Sequence, residues 1–322
     1  MANQTAHFEF ELTGFPGVPQ TFYMLMSFFL FIIYNIMFLT NGAVFIVIIL
    51  KEKLHKPMYI LIANLAFSDF LFDMATLPKM IAKYWFDNGK ISFLACFVQV
   101  YLVHWLAGMD PLILMLMAFD RYIAICNPLR YSSTITIKLT VYVSSFMWFS
   151  LAIITLGTTM IAKHPFCGPN KVISFFCNSS TVMRLACDDV NSTREILLVI
   201  TLVLLLGTLA LIILSYISIL FSILSLSHSG GGWKAFHTCM THLFVIAFFY
   251  IPRVFVYIAN YVKLILTPDL GVFLIVLQSY LPHLANPKRS RTLFPVLLQE
   301  IFLLLIIIDT FPTCIVVGLF DK

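Results

Sequence analysis

The sequence predicts an all-α membrane protein, a bundle of seven spanning helices, and three observations carry that prediction. Apolar residues make up 61% of the 322 positions and charged residues only 11%. A soluble domain sits nearer half apolar and a quarter charged, because water must wet its surface. The apolar residues gather into seven stretches, each long enough for the roughly 20 residues a helix needs to cross a bilayer core. The positive residues cluster beside those stretches, where they bias topology and meet anionic lipid. Lipid is the solvent for most of this chain.

Residues 1–21 read as an extracellular amino-terminal segment. They carry Glu9, Glu11, two prolines and two glycines, with no basic region ahead of the apolar run. A cleaved signal is not expected from that composition, so the first span serves as its own insertion signal. The seven stretches cover residues 22–50, 58–82, 96–121, 139–162, 196–226, 238–262 and 268–287. They make one membrane-embedded unit over 22–287, with no internal repeat of the inverted-topology kind. An eighth apolar stretch, 293–320, is interrupted by Pro295, Glu300, Asp309 and Pro312. It would cross a bilayer as a regular helix only at high cost. The atypical tail over 288–322 is therefore expected to lie along the cytosolic face.

Loop charge sets the orientation. With the amino terminus outside, Lys51, Lys53, Lys56, Arg121, Arg130, Lys138, Lys234, Lys288, Arg289 and Arg291 stand in or beside cytosolic segments. The outside then holds Lys83, Lys90, Lys163, Lys171, Arg184, Arg194 and Lys263, four of them in one long loop, where charge counts for less. Glycosylation acceptors at Asn3, Asn178 and Asn191 all fall outside in the same orientation. The net charge of +5 does not imply nucleic acid, because no basic run interleaves with aromatics on a soluble face.

Cys167, Cys177 and Cys187 share one extracellular loop and Cys96 opens the third span, so lumenal disulfides are expected. No His spacing completes a zinc site around them. Cys126, Cys239 and Cys314 face cytosol or lipid and should stay reduced. Histidines 228, 237 and 242 crowd the start of the sixth span, but no Glu accompanies them in a metalloenzyme spacing, and no other catalytic cluster is visible.

Asp69 and Asp110 are acids at mid-membrane depth, which is costly and points to function. Two carboxylates in one dry site repel unless they share a cation or a proton, so a sodium-type ion or a protonated pair is expected there, with polar packing as the alternative. Arg253 lies inside the sixth span, about 12 Å below Tyr261 at 1.5 Å per residue. Tyr250, Arg253 and Tyr257 recur at i, i+3 and i+7 and share a helical face. A planar guanidinium there suits a carboxylate, sulfonate or phosphate. The alternatives are an arginine that snorkels outward, or one that pairs with Asp188 or Asp189.

At the end of the third span stands the string Met117-Ala-Phe-Asp-Arg-Tyr-Ile-Ala-Ile-Cys-Asn-Pro-Leu-Arg-Tyr131. Asp120 and Arg121 can pair there to hold a resting state, with Tyr122 beside them; the alternative is an arginine that snorkels at the interface. Leu54-His-Lys-Pro-Met-Tyr59, Asn64-Leu-Ala-Phe-Ser-Asp69, Ser215-Tyr216 and Lys234-Ala-Phe-His-Thr-Cys-Met-Thr-His-Leu243 follow the same pattern. Together these strings resemble olfactory receptors, a branch of the rhodopsin-like G-protein-coupled receptors, and the match runs from residue 1 to about 287. In detail it is nearer the fish-like class. The resemblance implies a plasma-membrane receptor for a small odorant, not an enzyme, coupled through Asp120, Arg121, Tyr122 and Tyr216 to a heterotrimeric G protein of the stimulatory, olfactory type. It pairs Cys96 with Cys177, tying the loop to the third span, and Cys167 with Cys187, shaping a lid over the ligand entrance. It places an odorant pocket between Tyr250, Arg253 and Tyr257 and the third-span residues His104, Ala107 and Gly108. An anionic, water-borne ligand held by Arg253 is the expectation that follows.

One departure stands out. After Asn286-Pro287 the family continues with two apolar residues and a tyrosine, whereas this chain has Lys288-Arg289-Ser290. A receptor-shaped protein that binds ligand but signals poorly is therefore the strongest rival. A transporter is weaker, since broken helices and polar pore-facing runs are not evident.

Overall fold

The computed structural model describes residues 9–162, 164–167, 170–225, 243, 246–247, 249–258, 269–274, 276 and 280. Expectations about Asn3, residues 226–242, Tyr261, the stretch from 281 onward and the 288–322 tail lie outside the described residues. Five described helices are long and apolar enough to span a bilayer. They are α1 (Tyr23–Leu50), α2 (Pro57–Phe86), α3 (Phe93–Cys126), α5 (Ile137–Ile161) and α7 (Asn191–Ser225). Two helices of four residues, α4 (Tyr131–Thr134) and α6 (Ser179–Val182), lie in the connections. A shorter apolar helix, α8 (Phe249–Ile258), falls inside the sixth predicted stretch.

Local chemistry explains where these helices start. Pro57 opens α2, where its missing N–H would be unpaired in any case. Ser92 caps α3 by accepting from the Ala95 amide, and Thr136 caps α5 by accepting from that of Leu139. Helix α3 runs past Arg121 to Cys126 and stops where Asn127 precedes Pro128. Helix α3 packs against α2, α5 and α7, and α1 against α2. Large apolar side chains such as Leu39, Phe149 and Val203 stay more than 60% exposed on the outer faces. In water such faces would drive aggregation, whereas in lipid they are the expected surface.

A three-stranded sheet at the loop end of the bundle was not foreseen. Strand β1 (Glu9–Leu12) lies between β2 (Lys90–Ser92), antiparallel with Phe10 opposite Ile91, and β3 (Lys171–Val172), parallel with Leu12 opposite Val172. Phe10 and Leu12 point into the bundle core, while Glu9 is exposed. Gly14, at φ 64, then turns the chain so that the Phe15 amide donates to the Tyr84 hydroxyl at 2.9 Å.

Candidate functional site

Helix α8 buries Phe249, Tyr250, Arg253 and Val256 and exposes Ile251, Phe255 and Ile258, which settles which way Arg253 faces. It points into the bundle. Its Nη1 donates to the Ala107 carbonyl at 2.9 Å and its Nη2 to Asp110 Oδ2 at 3.3 Å. The Phe249 ring covers one face of the guanidinium, 3.9 Å from Cζ to the ring centre. The two charged side chains are only 10% and 4% exposed. Arg253 thus neither snorkels nor reaches the loop acids: Asp188 faces His164 at 3.5 Å, and Asp189 accepts from the Asn191 amide.

The ring of expected ligand contacts is only partly assembled around this pair. Tyr250 and Thr208 share a hydrogen bond at 2.8 Å. Tyr257 is half-buried on the same face. His104 Nδ1 donates to the Val100 carbonyl at 2.7 Å, which leaves Nε2 as its second polar atom. Ala107 takes part through its carbonyl alone. Gly108 turns elsewhere, since a Cβ there would meet Leu151 at 3.1 Å and Leu204 at 3.7 Å. It is a close-packing position between α3, α5 and α7.

Asp110 has its counter-cation within the chain, which the sequence reading missed. Ser68 supplies the hydroxyl contact from α2, at 3.2 Å from both Asp110 Oδ1 and the Leu106 carbonyl. Asp69 is also buried on α2. A sodium ion shared by Asp69 and Asp110 fits these residues poorly, because Arg253 and Ser68 already face the two Asp110 oxygens.

Above this pair the loop is held by two disulfides, Cys96–Cys177 and Cys167–Cys187. Gln99, one helical turn after Cys96, was not singled out from sequence. Its Nε2 donates to the Ala75 carbonyl at 2.7 Å and its Oε1 accepts from the Cys177 amide at 2.8 Å, joining α2, α3 and the loop.

At the other end of α3, the expected ion pair between Asp120 and Arg121 is absent among the described residues. Asp120 is buried and accepts instead from the Tyr131 hydroxyl at 2.8 Å. Burial and the Asp120 carboxylate push the Tyr131 pKa up to about 12, so it remains a donor at neutral pH. Arg121 and Tyr122 are half-buried, and Tyr216 is buried on α7. Cys126 joins the same two helices, accepting from Ser222 at 3.0 Å.

Comparison with known proteins accords with this arrangement. The family model described as olfactory receptor matches residues 30–294. Human olfactory receptor 2A12 is 36% identical over 259 residues, 80% of this chain and 83% of its own. Human olfactory receptor 1F1 is 31% identical over 309 residues, 91% of this chain and 99% of its own. In fold, squid rhodopsin aligns with a TM-score of 0.67 over 85% of this chain and 82% of its own, at 17% identity. A family model spanning most of the helices, relatives of matching length and a rhodopsin-type bundle agree: the chain is a multi-pass membrane receptor, not an enzyme, and belongs to the olfactory receptor family of rhodopsin-like G-protein-coupled receptors.

Proposed function

We propose that this receptor lies in the plasma membrane with its amino terminus outside, binds a small odorant at Arg253, and activates a heterotrimeric G protein of the stimulatory, olfactory type. The observation that carries the ligand site is the state of the Arg253 fork. A guanidinium has five N–H donors. Two hydrogen bonds engage Arg253 among the described residues, and both it and Asp110 are buried. An oxygen acceptor on a ligand can take the donors that remain, with Tyr250, Tyr257 and His104 as further polar contacts. Acidic, water-borne odorants are the anionic members of that acceptor class. Lys288-Arg289-Ser290, in place of the family's apolar pair and tyrosine, favours a second reading, in which ligand binds but signalling is weak.

Cells expressing the chain should raise cyclic AMP to at least one member of a broad odorant panel. Arg121→Ala should abolish that response at equal surface amount, and a full response from this variant would overturn the coupling assignment. Arg253→Met should weaken an acceptor odorant by about 1.5–3 kcal/mol, the worth of hydrogen bonds to a charged group. Ligand binding without any cyclic AMP response would select the second reading.

A further inference from the structure

We infer that Asp110 sets the charge preference of the ligand site, making it select an uncharged oxygen acceptor (an aldehyde, ketone, ester or protonated acid) over a carboxylate. This rests on Arg253 being the ligand anchor. The two side chains meet at 3.3 Å while almost wholly buried, so the pair presents zero net charge to a ligand in a medium of low dielectric. A carboxylate arriving at the same guanidinium would place two anions beside one cation, and like charges in a dry site repel strongly. It could instead displace Asp110, but that strands a buried carboxylate away from its cation, which costs more than the exchanged contact returns. A neutral carbonyl accepts from the same N–H groups and meets neither penalty.

Geometry narrows the approach as well. Phe249 covers one face of the guanidinium, the Ala107 carbonyl takes one N–H and Asp110 another. The remaining donors lie in the guanidinium plane, so the acceptor arrives edge-on. Asp110 stands 143 residues before Arg253 in the chain, yet it decides how that arginine is used.

The test is binding to purified receptor, read by thermal shift, of straight-chain carboxylic acids and their methyl esters at a pH where the acids are ionised. The unchanged receptor should bind an ester at least about tenfold more tightly than the matching carboxylate. Asp110→Asn should reverse that order by freeing the guanidinium charge. Tighter binding of the carboxylate by the unchanged receptor would overturn the inference, as would an unaltered ratio in Asp110→Asn. If Asp110→Asn fails to fold, the unchanged receptor still decides. Its affinity for the acid should rise as falling pH neutralises that acid, while its affinity for the ester, the control for titration of the protein, stays flat. Acid affinity that does not rise relative to the ester sinks the idea. Arg253→Met separates the two readings. Ester binding unaffected by it removes the anchor itself, whereas ester binding weakened by it, with an unaltered ratio in Asp110→Asn, removes only the charge preference. Binding of neither member of any pair by the unchanged receptor overturns both. The readout needs no G protein, so silent cyclic AMP assays leave it standing.

Discussion

Asn178 and Asn191 carry the same three-residue acceptor pattern, yet their side chains are in opposite situations. Asn178 is buried: its Oδ1 caps α6 by accepting from the Thr181 amide at 3.1 Å, and its Nδ2 donates to Ser174 Oγ at 3.3 Å. Nδ2 is the atom a glycan would occupy, so the expectation of a glycan at Asn178 does not suit the folded loop. Asn191 is exposed at the first turn of α7. In an Asn3→Gln background, endoglycosidase should therefore shift the electrophoretic mobility of the protein. Asn191→Gln should abolish that shift and Asn178→Gln should retain it; the reverse pattern would refute the assignment. The pattern is legible in sequence but burial is not. Adjacency misleads in the same way at Asp120 and Arg121. Consecutive helical residues diverge by about 100° and do not face each other, which is why the acid turns to Tyr131 across the following loop.

At the scale of elements, the spanning helices are legible because a bilayer leaves the backbone no alternative to internal pairing, so apolar length alone identifies them. Their ends are less so. Caps such as Ser92 and Thr136 lie outside the apolar run and extend each helix by a few residues. The alternation of Glu9-Phe10-Glu11-Leu12 is a strand pattern of period two, but four residues do not reveal partners 80 and 160 positions away. Gly89 shows how tightly that sheet is built. A Cβ there would collide with the Leu12 carbonyl, and the Leu12 amide donates to the Gly89 carbonyl at 2.9 Å. Gly89→Ala should push β1 away, cost about 1–3 kcal/mol, and remove hydrogen-exchange protection from Phe10 to Leu12. Gly157→Ala is the control, since a Cβ at that position meets nothing within 4 Å. Equal exchange in the two variants would mean that β1 does not depend on this close approach.

For the whole molecule, what sequence could not supply is which distant residues meet. Arg253 is conspicuous by its depth, but its pairing with Asp110 follows from how α8 sits against α3, and no local pattern encodes that register. The same holds at the loop end, where β1, the Gln99 bonds and the Cys96–Cys177 disulfide converge on one layer. The two disulfides should therefore not be equivalent. Cys96–Cys177 closes 81 residues and Cys167–Cys187 only 20. Loop-closure entropy alone makes the longer link more stabilising by about 1 kcal/mol. It also holds the Cys177 amide on Gln99, so its loss would loosen contacts beyond the loop itself. Replacing Cys96 and Cys177 together by Ser should cost about 2–5 kcal/mol and largely block surface delivery. The Cys167 and Cys187 pair of replacements should give a smaller fall in melting temperature and retain a measurable surface fraction. Both are read on purified protein by thermal unfolding and on intact cells by surface labelling. A larger loss from the Cys167 and Cys187 replacements would mean that the short link, not the tie to α3, holds this end of the bundle together.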